Sequence, residues 1–459
     1  MLRKKLKLRT SQSMIFFTFF KDLSTQKESE NEKIATVHDT NIGDFTLNSA
    51  ITNEEIIQAA KILQSGKASG NDFLTNEYLK HSIMSFLPIY NKLFNIILDT
   101  GVFPSQWSIG IISPIFKNKG NESDPSNYRP ITLLSCFGKL LTSILNTRLT
   151  TFLDSNEILN ENQAGFRSNY STSDHILTLH LLLEYMSVNK KTMYCAFMDL
   201  KNAYDLINRS MLFHKLNLFN VHGKFFNVLL SMYSNTKSSL KCNNLYTNTF
   251  ECSVGIRQGE NLSCMLFAIF LNDLETFLSV NNCVPINLYD HEMSLYLQLL
   301  VLLYADDTVL LATNVKDFRK ILKEYSSYCE KWGLKINVDK SKIMIFGQSR
   351  TGTKFYINNS EMEIVKQFRY LGITFTKNRR FLQTIKDNAT KGKRAMYAML
   401  SKNKHLGLSI SCQVHLFKTM VVPILLYGCE VWGFENFDIL ESVQTLFCRL
   451  ILKLNKKNT

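Results

Sequence analysis

Residues 299–312 read LLVLLYADDTVLLA, in which two apolar runs flank the adjacent acids Asp306 and Asp307. Each run is short and partly β-branched, which is typical of a buried strand. Two buried strands joined here would place both acids at the tip of a hairpin. Adjacent carboxylates repel each other by ~1 kcal/mol at 4 Å in water, and by about four times more near a protein surface. A divalent cation removes this cost.

The stretch therefore predicts a magnesium site, because Mg²⁺ binds one or two carboxylates together with substrate phosphates. The alternative is an acidic surface turn. Tight hairpin turns favour Asn-Gly or Asp-Gly, and this turn contains no glycine, which favours the metal site.

A further acid follows a second apolar stretch. Residues 193–198 read MYCAFM, Asp199 comes directly after them, and Asp205 follows Tyr204. An acid at the end of a strand is a suitable metal ligand, and its alternative is a helix N-cap. We interpret Asp205 as a cap or a structural partner rather than as a ligand.

The composition suits a nucleic-acid partner. The chain has 459 residues, with 53 Lys and Arg against 39 Asp and Glu, which gives a net charge of +14. The length allows two or three structural units with their own cores. A basic excess spread along the chain suits a polyanion, and simple solubility is the alternative explanation.

The cysteines and the apolar runs argue against a secreted protein and against a membrane-spanning segment. The ten Cys form no C-x-x-C pair and no zinc spacing, which indicates free thiols in a reducing compartment. The run at 14–20 is too short for a membrane span, and no later run reaches the ~18 residues that a span needs. We expect no membrane partner and a disordered, basic lead-in over residues 1–50, with a transit peptide as the alternative for its start.

Periodicity and capping residues predict the main elements. Helices are expected over residues 53–63, 76–99, 135–153, 172–188 and 315–332, a strand over 109–116, a hairpin from 238–242 and 248–253, and an irregular insertion over 280–296.

Tyr304-Ala305-Asp306-Asp307 resembles the Y-x-D-D box of reverse transcriptases. Further blocks resemble those of LINE-type (non-LTR) retrotransposon enzymes and occur in the family order: YRPI at 128–131, QAGFR at 163–167 with ST at 171–172, FMDLKNAYD at 197–205, GIRQGENLS at 255–263, LKINVDKSK at 334–342 and FRYLGI at 368–373. Three positions depart from the family pattern: Asn202 is usually Lys, Tyr204 is usually Phe, and Cys264 is usually Pro.

The resemblance implies an α+β right-hand polymerase fold with fingers, a palm built on an antiparallel sheet, and a helical thumb. It places the fingers and an N-terminal extension at 51–190, the palm at 191–375, and the thumb with the start of a C-terminal segment at 376–459. It implies an RNA-directed DNA polymerase that joins a dNTP to a primer 3′-hydroxyl on an RNA template. Two Mg²⁺ ions, with Mn²⁺ as a substitute, would be held by Asp199, Asp306 and Asp307.

The resemblance also assigns contacts to substrates. The residues for the incoming nucleotide are Arg167, Tyr204, Gln258 and Lys340. The residues for nucleic acid are Arg379, Arg380, Lys391, Lys393 and Arg394, on a helical segment expected to start at Arg379. Arg167, Tyr204 and the basic run have structural alternatives: a surface ion pair for Arg167, a core aromatic for Tyr204, and a solvated helix face for the basic run.

The expected partners are an RNA template, a DNA primer or target, and dNTPs, in a ribonucleoprotein of the nucleus and cytoplasm. Full-length members of that family carry an upstream endonuclease. Only about 50 residues precede the region assigned to the fingers and N-terminal extension, which is well below a typical domain, so we expect a truncated copy or a partial gene model. The rival hypothesis is a catalytically inactive, nucleic-acid-binding relic of the same fold. The sequence leaves the template, the target and the oligomeric state open.

Overall fold

The computed structural model describes residues 10–25, 44–242, 245–290, 295–348, 352–435 and 438–454. The remainder of the predicted lead-in, residues 1–9 and 26–43, lies outside the described residues.

The chain forms two compact units, each with segments that are distant in sequence. Unit 1 comprises Met1–Phe166, Leu200–Phe277 and Ser327–Ile336, and unit 2 comprises Arg167–Asp199, Leu278–Ser326 and Asn337–Thr459. The division into fingers, palm and thumb at 190/191 and 375/376 stays a prediction, because the compact units cut the chain elsewhere.

The helices are α1 (Thr10–Ser24), α2 (Phe45–Asn48), α3 (Asn53–Ile62), α4 (Asn76–Thr100), α5 (Cys136–Ser155), α6 (Thr172–Val188), α7 (Arg209–Leu218), α8 (Lys224–Ser234), α9 (Asn261–Leu271), α10 (Leu274–Val280), α11 (Val315–Lys331), α12 (Leu382–Asn403), α13 (Ile410–Met420), α14 (Val422–Leu425), α15 (Cys429–Trp432) and α16 (Asp438–Ile451). The strands are β1 (Ile109–Phe116), β2 (Tyr128–Leu133), β3 (Met193–Met198), β4 (Lys237–Cys242), β5 (Leu245–Tyr246), β6 (Phe250–Glu251), β7 (Ile286–Asp290), β8 (Leu295–Leu299), β9 (Val301–Tyr304), β10 (Asp307–Ala312), β11 (Lys342–Phe346), β12 (Tyr356–Ile357), β13 (Ser360–Glu361), β14 (Gln367–Tyr370) and β15 (Ile373–Thr376).

Unit 1 is built on a sheet with the strand order β2-β1-β4-β5, and β6 also pairs with β4. The β1–β4 pair is parallel and the other pairs are antiparallel. Helix α1 packs against this sheet and buries Phe16 and Phe20 in a cluster with Ile112 and Tyr128. The prediction of a disordered lead-in is therefore wrong for this segment: its short apolar run is too short for a membrane but long enough to cover one sheet.

The start of α3 shows how local sequence and packing combine in unit 1. Thr52 and Glu55 form a capping box, which satisfies backbone N–H groups at the helix start. Glu55 also pairs with the buried Arg148 of α5 at 2.6 Å. Because Arg148 also donates to the carbonyls of Ser49 and Ala50 at 2.6 and 3.0 Å, this one guanidinium fixes the chain before α3 onto α5.

Unit 2 is built on an antiparallel sheet with the order β11-β3-β10-β9. Its core joins this sheet to α6, to the β14–β15 hairpin and to the C-terminal helices, through buried residues such as Phe197, Leu311, Met344 and Phe375. The antiparallel sheet expected for the palm is confirmed.

Residues 280–296 are not an irregular insertion as predicted. Strands β7 and β8 form an antiparallel hairpin in which Ile286 pairs with Leu299 and Leu288 with Leu297. The apolar residues of this segment alternate with polar ones, and the period of two is the strand signal that the sequence interpretation missed.

One described helical stretch, Asn261–Val280, is long and apolar enough to cross a membrane, with a mean hydropathy of 1.4. This departs from the expectation that no later run is long enough. Of this stretch, 61% is buried inside the fold, and Ala268, Ile269 and Phe270 are fully buried. These values are typical of a core helix.

Candidate active site

The predicted hairpin is present in unit 2. Asp307 pairs with Tyr304, which leaves Ala305 and Asp306 as a two-residue turn. Ala305 has a φ of +56°, a left-handed conformation that costs a non-glycine residue roughly 1–2 kcal/mol. Backbone strain of this kind tends to occur at functional sites, where the surrounding structure enforces it.

The acids lie at one edge of the sheet. Met198 at the end of β3 pairs with Thr308 of β10, so Asp199 comes directly after the one and Asp307 directly before the other. Residues opposite each other in an antiparallel pair project from the same face. The structure therefore brings Asp199 and Asp307 together, with Asp306 at the adjacent turn.

The electrostatics agree with this placement. Desolvation of the carboxyl group, together with the negative charges of Asp306 and Asp199, raises the pKa of Asp307 to about 6. The residue as a whole remains exposed. Repulsion among the three acids thus contributes to the raised pKa of Asp307, and a bound cation would relieve this contribution.

Asp199 is oriented by the polar segment that precedes β11. Its carboxylate accepts a hydrogen bond from Asn337 Nδ2 at 2.8 Å and pairs with Lys340 Nζ at 3.4 Å. Its backbone N–H donates to Ser341 Oγ at 3.0 Å. Lys340 therefore lies beside a predicted metal ligand. Asn337 and Ser341 belong to the same LKINVDKSK block, and the sequence interpretation missed their role although the block contained both.

The donor set fits a hard divalent cation that is completed by other ligands. Among the described residues, no group of three or more His, Cys, Asp and Glu side chains could hold a metal ion by itself. Carboxylate oxygens at one sheet edge suit Mg²⁺, which usually keeps several waters and binds substrate phosphates. The site thus offers part of a coordination sphere rather than a closed cage.

In unit 1, the ring of Tyr204 stacks on Phe267 with centroids 4.6 Å apart and planes at 14°. Tyr204 is partly buried, and its carbonyl accepts a hydrogen bond from the N–H of Ile256 at 2.9 Å. Asn202 has a φ of +47°, and Asn tolerates this region better than most residues. This conformation gives a physical reason for an Asn at position 202, where the family usually has Lys.

Gln258 is also tightly held within unit 1. Its Nε2 donates to Asp205 Oδ1 at 2.9 Å, and its carbonyl accepts from the N–H of Thr132 at 2.8 Å. Burial raises the pKa of Asp205 to about 7, although the hydrogen bond from Gln258 and the charge of Lys117 lower it. Asp205 is therefore a structural partner, as we interpreted it.

Arg167 and the basic residues all lie in unit 2. The Arg167 guanidinium lies over the ring of Tyr170 at 4.2 Å. The thumb helix does not start at Arg379 as predicted, because α12 begins at Leu382. Arg379 and Arg380 precede it, and Arg379 pairs with Glu184 at 3.2 Å.

The other three predicted nucleic-acid contacts lie on α12 itself. Arg394 is exposed, whereas Lys391 and Lys393 are half-buried. Burial and the nearby Arg369 lower the pKa of Lys391, although Asp387 raises it.

Residues 116–375, more than half of the chain, match the family described as reverse transcriptase (RNA-dependent DNA polymerase). The chain belongs to the reverse transcriptase family. The resemblance inferred from the sequence blocks and the α+β polymerase fold expected from them are both confirmed.

This reverse transcriptase is similar to proteins of mobile elements. It is 26% identical over 421 residues to the RNA-directed DNA polymerase from mobile element jockey of Drosophila melanogaster, covering 89% of this chain and 44% of that protein. It is 27% identical to the probable RNA-directed DNA polymerase from transposon BS of the same fly, covering 87% and 44%. The chain thus spans less than half the length of these two relatives.

Two further similarities extend the comparison. The Pol polyprotein from type-1 retrotransposable element R2 of Popillia japonica is 24% identical, with 83% of this chain and 51% of that protein covered. Among solved structures, apo telomerase of Candida tropicalis truncated from the C-terminal domain is 14% identical, covering 69% of this chain and 63% of that chain at a TM-score of 0.41.

Proposed function

We propose that the chain is an RNA-directed DNA polymerase of a non-LTR retrotransposon, which adds dNTPs to a primer 3′-hydroxyl on an RNA template. The observation that carries the proposal is the convergence of Asp199, Asp306 and Asp307 at one edge of the antiparallel sheet. Membership of the reverse transcriptase family supports it.

The three acids would hold two Mg²⁺ ions, with Mn²⁺ as a substitute. When bound, such a pair stabilises the attacking and leaving oxygens of an in-line displacement at phosphorus. Asn337 and Ser341 keep the Asp199 carboxylate oriented through the hydrogen bonds described above. Catalysis of phosphoryl transfer needs mainly positioning and charge, and this site supplies both.

Arg167, Tyr204, Gln258 and Lys340 are the proposed contacts of the incoming nucleotide. The Lys340 ammonium lies 3.4 Å from Asp199, a position from which a positive charge would attract a triphosphate. Tyr204 presents a flat ring already fixed by Phe267, and Gln258 offers both a donor and an acceptor.

Nucleic acid would contact the basic residues of α12 and the turn before it. Lys391, Lys393 and Arg394 lie within two turns of this helix, where their charges would follow a phosphate backbone. The proposed partners are an RNA template and a DNA primer or target, in a ribonucleoprotein of the nucleus and cytoplasm.

The rival is a relic that binds nucleic acid without synthesis. The three acids are all present, which favours the enzyme. Cys264 lies in the first turn of α9, so that helix forms without the usual proline, and this departure removes no charged group.

Primer extension on an RNA template tests the proposal. The full chain should extend an annealed DNA primer when Mg²⁺ and all four dNTPs are present, and EDTA should stop the reaction. A folded protein that binds the RNA–primer duplex but adds no nucleotide at any Mg²⁺ or Mn²⁺ concentration would support the relic instead.

A further inference from the structure

The segment Gly255–Gly259 of unit 1 is hydrogen-bonded on both sides. The N–H groups of Gly255 and Ile256 donate to the carbonyls of Ile207 and Tyr204 at 2.8 and 2.9 Å. On the other side, the Gln258 carbonyl accepts from Thr132. Three sequence blocks that are separate along the chain therefore meet around Gln258.

The two glycines make this fit close. A Cβ at Gly255 would lie 2.6 Å from the Asp205 carbonyl oxygen, and one at Gly259 would lie 2.5 Å from the Thr132 carbonyl oxygen. Both residues also have positive φ values, +81° and +131°. The backbone that carries Gln258 is thus fixed, and its remaining freedom is the rotation of the side chain.

Asp205 removes that freedom. Its Oδ1 accepts the 2.9 Å hydrogen bond from Gln258 Nε2, and both residues line a small cavity of about 50 Å³ together with Arg209. The Arg209 guanidinium binds the neighbouring backbone, donating to the carbonyls of Gly255, Tyr233 and Cys252 at 2.7–2.9 Å. The carboxylate is therefore placed to hold the Gln258 amide.

We propose that Asp205 is a positioning residue of the nucleotide site: it fixes the amide of Gln258 so that Oε1 faces away from Asp205, as an acceptor for a hydroxyl group of the incoming nucleotide. This inference rests on the proposed polymerase function. An ionised carboxylate accepts hydrogen bonds and cannot donate them, so it selects the Nε2 side of the amide. A hydrogen bond to a charged group is strong enough to hold one orientation.

The selection depends on the charge of Asp205. Besides the Gln258 amide, the charged or titratable groups that line the cavity or act on this carboxyl are Lys117, Arg209, Arg257 and Cys252. With a pKa of about 7, Asp205 gains a donor O–H as the pH falls through neutrality. The protonated form pairs with Oε1 and turns the amide around, so nucleotide affinity should weaken below about pH 7.

A double-mutant cycle between Asp205→Leu and Gln258→Leu tests the proposal. Asp205→Leu should raise the KM for dNTP by about tenfold or more, the effect of losing one charge-assisted hydrogen bond, with a smaller change in kcat. The double variant should have the KM of Gln258→Leu alone, because Asp205 acts only through Gln258. Melting temperatures measured alongside separate loss of fold from loss of positioning.

Asp205→Asn is the matched variant. Its Oδ1 can still accept from Gln258, its Nδ2 can also donate to Oε1, and it does not titrate. It should keep the KM of the parent at pH 8 within about threefold, an allowance for replacing a charged acceptor with a neutral amide that selects the Gln258 orientation less strongly. It should also lose the rise in KM that the parent shows between pH 8 and pH 6.

Two results would overturn the role of Asp205 in an active parent enzyme: additive effects in the cycle, or an unchanged pH profile in Asp205→Asn. If Asp205→Leu does not fold, the pH comparison between the parent and Asp205→Asn still tests whether Asp205 positions Gln258. A folded parent enzyme that adds no nucleotide would instead overturn the proposed function.

Discussion

Tyr204 has two competing roles that predict different defects when it is replaced. As a nucleotide contact that excludes ribonucleotides, its loss would change nucleotide selection; as a core aromatic, its loss would lower stability. Its ring stacks on Phe267 and is partly buried. A rigid ring under the incoming sugar would leave no room for the 2′-hydroxyl that distinguishes ribonucleotides. Tyr204→Val should therefore lower the ratio of kcat/KM for dGTP over GTP while the protein stays folded.

The melting temperature is the control for this variant. A purely structural Tyr204 would lose stability, by roughly 3–5 kcal/mol if truncated to Ala like other buried aromatics, and the nucleotide ratio would not change. Tyr246→Val, at an exposed tyrosine of β5, should alter neither quantity. An unchanged ratio with a lower melting temperature would show that Tyr204 is structural.

Lys215 joins α7 to the helices around it. Its ammonium is fully buried and donates to Phe270 O, to Asp273 Oδ1 at 2.6 Å and to Tyr328 Oη at 2.9 Å. It also lies 3.8 Å from the ring centroid of Trp332. One side chain of α7 thus contacts the C-terminal part of α9, the residue before α10 and the end of α11.

Removing this buried cation should lower the free energy of unfolding only in a variant that leaves a gap and an unpaired acid. We expect Lys215→Ala to lower the free energy of unfolding by about 3–5 kcal/mol, because it breaks a buried charge pair. The double variant Lys215→Met/Asp273→Leu keeps the volume and removes both charges, and buried pairs replaced by apolar residues are often neutral or stabilising. Chemical denaturation at pH 7 measures both, and equal losses in the two variants would contradict this account.

The same lysine gives a pH dependence with a defined sign. Burial lowers the pKa of Lys215 from 10.5 to about 8, although Asp273 raises it. The unfolded chain therefore binds more protons than the folded one between these two values, and the parent should gain stability relative to Lys215→Met as the pH rises from 8 to 10. A constant difference between the two unfolding curves would show that Lys215 stays charged when buried.

Some elements could be predicted from the sequence because their signals are local. Helix Thr172–Val188 has the predicted bounds, and helix Asn53–Ile62 begins at the predicted residue. The hairpin at Asp306 was predicted from its apolar runs, although its turn uses Ala305 where glycine is favoured. Helix α1 was missed because its stability comes from a sheet more than 80 residues away in sequence.

The site residues likewise divide into those that the sequence predicted and those that it did not. The three acids follow strand ends, so the sequence pattern placed them. The contact between Asp205 and Gln258 and the contacts of Asn337 and Ser341 with Asp199 join residues that are distant in sequence. No spacing along the chain reveals such partners, because they are set by how the blocks pack.

For the whole molecule, the net charge of +14 and the basic residues of α12 predict salt-sensitive binding of RNA. Each phosphate contact contributes about −0.7 to −0.9 to the slope of log K against log salt. Changing Lys393 and Arg394 together to Ala should therefore make the slope less steep by roughly one contact for each residue. Changing Arg379 and Arg380 should also reduce it, but Arg379 is already paired with Glu184, so its effect should be the smaller.

The control for this titration is Lys61→Ala, at an exposed lysine of α3 that we do not assign to nucleic acid. It should leave the slope unchanged. We expect the same of Lys27 and Lys33, which lie outside the described residues. A flat titration of the parent chain between low and moderate salt would rule out phosphate contacts altogether.

The central claim is that Asp199, Asp306 and Asp307, gathered at one edge of the sheet, make this chain a polymerase. The measurement that tests it most directly is the single-turnover rate of dNTP addition on an RNA template with Mg²⁺, for the parent, Asp306→Asn and Glu330→Gln. Asp306→Asn keeps the shape but loses a negative ligand, so its rate should fall by about 100-fold or more with RNA affinity and melting temperature unchanged. Glu330→Gln, the same charge loss at an exposed position of α11, should match the parent. A folded Asp306→Asn protein that extends primers at the parental rate would contradict the account.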